Sequence, residues 1–311
     1  MSTQAPAEHD RLAATNDGED ARSEKPGRSK KPKDPSAVRP WVIVLLSVVG
    51  GLLALLWLSP FWFIVVNSFK TYGNIIADAA GFPDPPTTDN YPFAWESANF
   101  VSAIFNSVII TVLSVGSMIV IGALAAWRMA RMPHRINKLI FFVFVSAMIV
   151  PFQTIMIPIV KITSDLNLLN TRPGLIMVYI GLGMPLTVFF LHGFVTSSVP
   201  LSLEEAARID GASPWQTFRY IVLPLLRPML ATLAILHTFW IWNDFLLPLL
   251  VIFDPEKRTI PLAIFQFFGR HANAWDLALA TLVMGIIPIV VFFLLFQRHI
   301  IRGISAGSIK G

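Results

Sequence analysis

The stretch PLSLEEAARIDGASPWQTFRYIVLPLLRP, residues 200–228, is the longest polar interruption in the apolar two-thirds of the chain. Ser202 and Glu205 have the S-x-x-E spacing of a capping box, which predicts a short helix. Gly211 can adopt the left-handed conformation that ends such a helix. The same N-terminal pattern recurs after the glycine, in Ser213, Pro214 and Gln216. The stretch therefore predicts a helix, a glycine corner and a second helix, although a plain loop with two amphipathic turns would also fit.

The composition around this stretch is that of a membrane protein. Of 311 residues, 54% are apolar and 14% are charged, whereas soluble domains have about 25% charged residues. The chain has no cysteine, which excludes disulfides and thiolate zinc sites. Its basic residues lie in the N-terminal segment and in short loops, so we do not expect nucleic acid as a partner.

Six apolar runs predict an all-α, polytopic membrane protein with six transmembrane helices. Each run is near the ~20 residues that cross a bilayer, and continuous runs are typical of helices rather than of membrane barrels. The runs are 41–66, 98–127, 136–160, 175–195, 229–253 and 277–296. Residues 1–40 are polar and read as a disordered cytoplasmic tail without the apolar core of a signal peptide. Residues 41–311 then form the membrane domain, with a C-terminal tail at 299–311.

The distribution of Lys and Arg predicts the orientation in the membrane. The N-terminal tail, the loop at 128–138, the stretch 200–228 and the C-terminal end from residue 298 onward hold 18 of the 24 basic residues. By the positive-inside rule these segments are cytoplasmic, together with both termini. The long loop at 67–97 and the shorter loop at 253–276 should then lie outside the cell.

We find no catalytic or metal-binding constellation. There is no G-x-x-x-x-G-K-[ST] segment for ATP and no H-E-x-x-H segment for zinc, so we expect no resident cofactor, no metal and no enzyme activity. The histidines are scattered, and His237 in the fifth run is more typical of a hydrogen-bonded residue between helices than of a catalytic one. The chain also lacks the row of carboxylates of a proton pump and the glycine-rich filter of an ion channel.

Polar residues inside the spans are candidates for a solute path. Asp244 is the strongest, because Trp242 and Asn243 place an aromatic ring and a second hydrogen-bonding group beside it, which suits a sugar. Asn106 and Gln153 have weaker claims. The alternative is structural, in which the cluster around Asp244 bonds a neighbouring helix at a kink before Pro248.

Several segments resemble one family, the permeases of ABC importers. Its EAA motif is matched by residues in the opening stretch: Glu205, Ala206, Ala207, Asp210, Gly211, Ala212, Phe218 and the segment Leu223–Pro228. The segments NSFK (67–70), WNDF (242–245) and the C-terminal GISAGSIKG (303–311) are similar to the maltose-type carbohydrate permeases. Among these the chain resembles the shorter, six-span partner of a heterodimer.

The resemblance implies a set of partners and a mechanism. A second permease subunit completes the pore, two ATPase subunits bind the ATP, and an extracytoplasmic sugar-binding protein docks outside, where the loop before Asp276 inserts into it. Each ATPase grips one coupling helix and moves it. The resemblance also implies that the C-terminal tail, with Ser305, Gly307 and Lys310, reaches between the ATPase subunits.

Individual residues of the motif take roles by the same resemblance. Glu205 contacts the ATPase, Ala206 and Ala207 permit close docking, and Gly211 forms the corner. Asp210 braces the second helix. The expected cargo is a disaccharide or oligosaccharide, and the expected location is a bacterial or archaeal plasma membrane. The open alternatives are a permease for a non-sugar solute and a membrane enzyme that uses Asp244 and His237.

Overall fold

The computed structural model describes residues 39–132, 134–268 and 274–308, with only the backbone from 298 onward. The regular elements of this part of the chain are all helical, so the all-α prediction is confirmed. The thirteen α-helices are α1 (Pro40–Ser68), α2 (Tyr72–Ala77), α3 (Asn90–Ser97), α4 (Phe100–Arg131), α5 (Arg135–Ala147), α6 (Phe152–Asp165), α7 (Arg172–Ser198), α8 (Leu201–Ile209), α9 (Pro214–Thr217), α10 (Leu223–Asn243), α11 (Leu246–Val251), α12 (Ile260–Phe265) and α13 (Trp275–Ser308). A π-helical turn, Phe218–Val222, joins α9 to α10, and a 3₁₀ turn, Pro255–Lys257, precedes α12.

Five continuous helical segments are long and apolar enough to cross a membrane: Pro40–Ser68, Phe100–Arg131, Arg172–Ser198, Pro214–Asn243 and Trp275–Gln297. A sixth crossing is available only if α5 and α6 form one broken span, because the pair is bent by 109°. The prediction of one continuous run at 136–160 is therefore wrong in shape. Pro151, which stands at the N-cap of α6 with extended backbone, disfavours helical backbone in the residue before it and explains the break.

The fifth predicted span is also shorter than expected. It was predicted to run to residue 253, but α10 ends at Asn243 because Asp244 is extended, with φ −73° and ψ 128°. The short helix α11 then begins at Leu246. The break places a carboxylate at a helix end instead of inside a continuous helix.

Contacts divide the chain into two units, Met1–Leu56 and Trp57–Gly311. In the first, the described residues 39–56 form the apolar, largely exposed N-terminal part of α1. The remainder of the predicted 1–40 tail, residues 1–38, lies outside the described residues. In the second unit, α4 and α7 form the largest helix pair.

Small residues let α4 and α7 approach closely. A Cβ on Gly122 would stand 2.5 Å from Cγ2 of Thr187, and one on Gly183 would stand 2.1 Å from the sulfur of Met118. The Thr187 hydroxyl also hydrogen-bonds Nε2 of His237 at 2.8 Å, and this histidine is only 2% exposed. The interpretation of His237 as a hydrogen-bonded residue between helices is confirmed. Close backbone approach and interhelical hydrogen bonds are how helices associate in lipid.

Candidate functional site

The corner between α8 and α9 forms at Gly211, as predicted. Gly211 has φ +84°. Its amide donates to the carbonyl of Arg208 at 3.1 Å, and the amide of Ala212 donates to the carbonyl of Ala207 at 2.9 Å. This pair of bonds is the Schellman motif, which satisfies the last carbonyls of a helix. No atom lies within 4 Å of the position that a Cβ on Gly211 would take, so the backbone conformation, not space, requires glycine here.

Only the second of the two predicted capping boxes forms. The amide of Gln216 donates to Oγ of Ser213 at 3.3 Å, and the amide of Ser213 donates to Oε1 of Gln216 at 2.8 Å. The first box is wrong: α8 begins at Leu201, its N-cap Pro200 makes no side-chain cap bond, and Ser202 lies inside the helix. The residue of α8 whose carboxylate faces inward and bonds another helix is Glu204.

Glu204 ties α8 to the end of α4. Nε of Arg131 lies 2.7 Å from Oε1 of Glu204, and Nε1 of Trp127 donates to Oε2 at 3.0 Å. Nη2 of Arg131 also donates to the carbonyl of Val199 at 2.6 Å. The Glu204 side chain is 5% exposed, so both partners are needed to offset its desolvation. Sequence reasoning chose Glu205 and missed Glu204, because the partners of Glu204 on α4 are 73 and 77 positions away.

The free face of this element is formed by other residues. Glu205 and Ala206 are exposed, whereas Ala207 is buried and cannot contribute to a docking surface as expected. Ile209 is 86% exposed and Trp215 is 60% exposed. Ile209 lies just before the candidate span that begins at Pro214, and Trp215 lies in the first turn of that span. Exposed apolar side chains that are neighbours at the end of a span are available for a protein–protein interface.

A second site lies where two helices break. A cavity of about 530 Å³ is bounded by the α5–α6 bend, by α7 and by the α10–α11 break. Its lining includes Met148, Phe152, Pro185, Trp240, Asp244 and Leu246. Oδ2 of Asp244 accepts a 2.9 Å hydrogen bond from the Tyr179 hydroxyl, and Oδ1 accepts one from the amide of Leu246 at 3.1 Å. The carboxylate therefore faces the cavity while bonding α7.

The aromatic ring beside Asp244 is not the one expected. Trp242 is 9% exposed and packs in a core cluster with Phe100 and Ile260, away from the cavity. Trp240 lines the cavity instead, and its ring stands edge-on to Tyr179 with centroids 5.6 Å apart. In residues 240–244 (WIWND), the point at which the helix ends determines which of the two indole rings faces the carboxylate of Asp244. The local sequence does not predict that point.

The other candidates for a solute path lie apart from this cavity or on its margin. Asn243 is exposed, and its Nδ2 donates back to the carbonyl of Phe239 in its own helix at 2.8 Å. Gln153 is exposed in the first turn of α6, next to the cavity residue Phe152. Neither makes a described contact with Asp244.

Asn106 is fully buried, and its side-chain amide makes structural hydrogen bonds to other segments of the chain. Its Nδ2 donates to the carbonyls of Glu256 at 2.8 Å and Arg258 at 2.9 Å, and its Oδ1 accepts from Nε of Arg172 at 2.6 Å. An amide bears two N–H donors, and both are used here. Asn106 therefore anchors the segment after α11, which contains the 3₁₀ turn, to the body of the helices.

Comparison with known proteins identifies the chain. The family described as "Binding-protein-dependent transport system inner membrane component" matches residues 118–306. The chain belongs to this family. Its match begins within α4, includes the corner element and the cavity, and ends within the last turn of α13.

Relatives of this permease align over most of its length. The probable starch degradation products transport system permease protein AmyC of Thermoanaerobacterium thermosulfurigenes is 41% identical, over 86% of this chain and 96% of that protein. The multiple sugar-binding transport system permease protein MsmG of Streptococcus mutans is 40% identical, over 87% and 96%. The melibiose/raffinose/stachyose import permease protein MelC of Bacillus subtilis is 36% identical, over 86% and 96%.

A solved structure has the same fold. A chain of a bacterial ABC transporter involved in the import of the acidic polysaccharide alginate matches the permease with a TM-score of 0.71 at 21% identity. The match covers 85% of this chain and 99% of that one. The two chains thus share one fold.

The C-terminal end of the permease differs from the expected tail. The helix α13 runs from Trp275 to Ser308, so residues 299–308 continue the last helix instead of leaving it. Ser305 and Gly307 belong to this helical backbone, and Lys310 lies outside the described residues.

Proposed function

We propose that this permease forms, with a second permease subunit, the translocation path of a bacterial ABC importer for a disaccharide or oligosaccharide. The observation that carries the proposal is the near full-length similarity to AmyC, MsmG and MelC, whose names all describe sugar transport. The alternative of a membrane enzyme has no support, because the side chains of His237 and Asp244 bond Thr187 and Tyr179 separately.

Transport is driven through the element that contains α8, the Gly211 corner and α9. Two ATPase subunits bind and hydrolyse the ATP, and this chain supplies no nucleotide site. The exposed residues Glu205, Ala206, Ile209 and Trp215 form the surface that one ATPase grips. Asp210, at the C-cap of α8, and the capping box of Ser213 stiffen the corner, so that a push on α8 is passed on with little loss.

The orientation proposed from charge places this element and both termini in the cytoplasm. The end of α13, with Ser305 and Gly307, and the following Lys310 then meet the ATPase pair. On the outer side, the segment anchored by Asn106 faces an extracytoplasmic solute-binding protein. A transporter structure of the same fold has been solved in complex with a periplasmic protein bound to an alginate pentasaccharide, which supports such a partner.

The sugar passes the cavity at the helix breaks. Its volume of about 530 Å³ falls within the roughly 300–1,000 Å³ of ligand sites. Asp244 can accept hydrogen bonds from sugar hydroxyls through lone pairs that Tyr179 and Leu246 leave free. Trp240, 40% exposed, offers an apolar ring to a pyranose face. Asn243 and Gln153 add polar groups near this route.

The test is the ATPase activity of the purified complex, assembled with its partner subunits and binding protein. We would offer maltodextrins, raffinose, trehalose and diacetylchitobiose, chosen from the cargo named for relatives, beside amino acids and phosphate. We expect one sugar class to stimulate hydrolysis and to accumulate in proteoliposomes. Stimulation by a non-sugar alone would contradict the proposed cargo, and no stimulation by any solute would contradict the proposed function.

A further inference from the structure

A buried ion pair joins α8 to a helix that is remote in sequence. Arg131 and Glu204 are 73 positions apart, and their side chains are 15% and 5% exposed. Both oxygens of the Glu204 carboxylate are engaged, one by Arg131 and the other by Nε1 of Trp127. Exposed ion pairs contribute little, but a desolvated pair that loses one partner leaves an uncompensated charge. Separation of α8 from α4 is therefore strongly opposed.

The ion pair between Arg131 and Glu204 adds to the covalent connections that α8 has with its neighbouring helices. Along the chain α8 is joined to α7 at one end and to α9 at the other. The bond from Arg131 to the carbonyl of Val199 holds the α7–α8 junction, and the Trp127 ring lies 5.2 Å from that of Phe218 in the π-helical turn. The α7–α8 junction, the inward face of α8 and the π-helical turn are thus each attached to the last turns of α4. When α8 is displaced, α4 has to move with it.

The other end of α4 is fixed to a different part of the molecule. Asn106 bonds the carbonyls of Glu256 and Arg258, and Oγ of Ser107 accepts from the amide of Ile260 at 2.9 Å. The 25 positions between Asn106 and Arg131 correspond to about 37 Å of helix, which exceeds the roughly 30 Å of a bilayer core. One rigid helix therefore connects the corner element to the anchored segment on the opposite side of the membrane.

We propose that Glu204 is a positioning residue for energy coupling: its carboxylate clamps α8 to α4, so that α8 displacement reaches the outer segment through α4. The proposal rests on the proposed function, since it needs an ATPase that moves α8. This role of Glu204 differs from the roles given to the motif residues, because Glu204 faces inward and does not contact the ATPase. The coupling lost without the clamp is expected to be of the usual size between distant sites, about 5- to 150-fold.

The test compares Glu204→Ala and Arg131→Ala with Arg128→Ala, a matched control because Arg128 is exposed in the same last turn of α4. Each complex is purified with its partners and placed in proteoliposomes with the sugar that best stimulates the wild type. The readout is sugar imported per ATP hydrolysed. We expect this ratio to fall about 5- to 150-fold for the two clamp variants and to stay within twofold of wild type for the control.

Chemical rescue separates a clamp from a merely structural contact. This chain has no cysteine, so Glu204→Cys with Arg131→Cys gives it a single thiol pair, and the partner subunits are used as cysteine-free variants. We expect the reduced double variant to be uncoupled and a short bifunctional thiol reagent to restore the ratio. If Glu204→Ala fails to assemble, Glu204→Gln replaces it, since it keeps the side-chain volume.

Two outcomes would overturn the clamp. One is an assembled Glu204 variant that imports sugar per ATP as well as the wild type. The other is a cross-linked double variant that stays uncoupled. Wild-type transport is measured first. If the wild type transports no solute, the proposed function is wrong, and the clamp proposal that rests on it is wrong too. If the wild type transports sugar and the Glu204 variants do so equally well, only the clamp proposal is wrong.

Discussion

The hydroxyl of Tyr179 donates a 2.9 Å hydrogen bond to Oδ2 of Asp244 and so joins α7 to the break between α10 and α11. Tyr179 is fully buried and cannot reach a solute, whereas Asp244 is half-buried in the cavity wall. The carboxylate therefore has two possible uses, a tie between helices and a ligand for a sugar. These uses make different predictions for the two residues.

Asp244→Ala should reduce sugar uptake much more than Tyr179→Phe does. Loss of a hydrogen bond to a charged group costs about 1.5–3 kcal/mol, which is roughly a tenfold or greater loss when that bond is made to the sugar. Tyr179→Phe removes the tie and keeps the carboxylate. Uptake and copurification of the partner subunits are measured for both variants. Equal losses, or failure of Asp244→Ala to assemble, would assign Asp244 to structure.

Gly211→Val should leave membrane insertion intact and abolish ATP-dependent uptake. The position has φ +84° and open space around it, so the penalty comes from the backbone, about 1–2 kcal/mol for an ordinary L-residue in the left-handed region. Asparagine tolerates this region better. We therefore expect Gly211→Asn to retain more uptake than Gly211→Ala, and Gly211→Val to retain least. An order set by side-chain volume alone, with Asn below Ala, would contradict a conformational role.

Asn106→Ala should release the segment around the 3₁₀ turn. The substitution strands the carbonyls of Glu256 and Arg258, each at a cost of about 1–3 kcal/mol if it stays buried. Trypsin cleaves after Lys257 and Arg258, so we expect faster cleavage there in the purified protein. Asn137→Ala is the control, because Asn137 is partly exposed and its described side-chain bond goes to the nearby carbonyl of Met132. Unchanged cleavage of Asn106→Ala would show that other contacts hold this segment.

Gly122→Ala should destabilise the helix core, and Gly116→Ala in the same helix should not. A Cβ at Gly122 would stand 2.5 Å from Thr187, whereas nothing lies within 4 Å of a Cβ at Gly116. Overpacking of a core costs about 1–3 kcal/mol, while replacing an exposed helical glycine is favourable by about 0.5–1 kcal/mol. Thermal denaturation in detergent measures both. Similar melting temperatures would mean that Thr187 adjusts without loss.

The turn and the capping box of the corner could be predicted from the sequence, because the residues that form each of them are neighbours in the chain. The left-handed Gly211 and the Ser213–Gln216 box depend on residues within a few positions. The Ser202 box failed for the opposite reason. The helix α8 is held through Glu204 by Arg131, 73 positions away, and a capping pattern carries no information about such a partner.

The residues that line the cavity were only partly predictable, because most of them are brought together by packing between segments that are distant in the sequence. Polarity inside an apolar run singled out Asp244, and that residue does face the cavity. Whether Trp240 or Trp242 accompanies it depends on where α10 stops and how it is rotated, which tertiary packing determines. Asn106 has the same polarity as a path residue, but its three hydrogen-bond partners lie on segments that only the fold brings together.

Neither α5 nor α6 can cross a bilayer alone, since 13 and 14 residues rise only about 20 Å against a core of roughly 30 Å. The turn between them carries backbone groups that lipid cannot satisfy. Shelter comes from later segments, because α5 packs on α7 and α6 packs on α11. During synthesis the ribosome therefore delivers residues 135–165 before the partners that make their insertion favourable. The bent pair α5–α6 thus depends, for the contacts that shelter its turn, on segments that follow it in the chain.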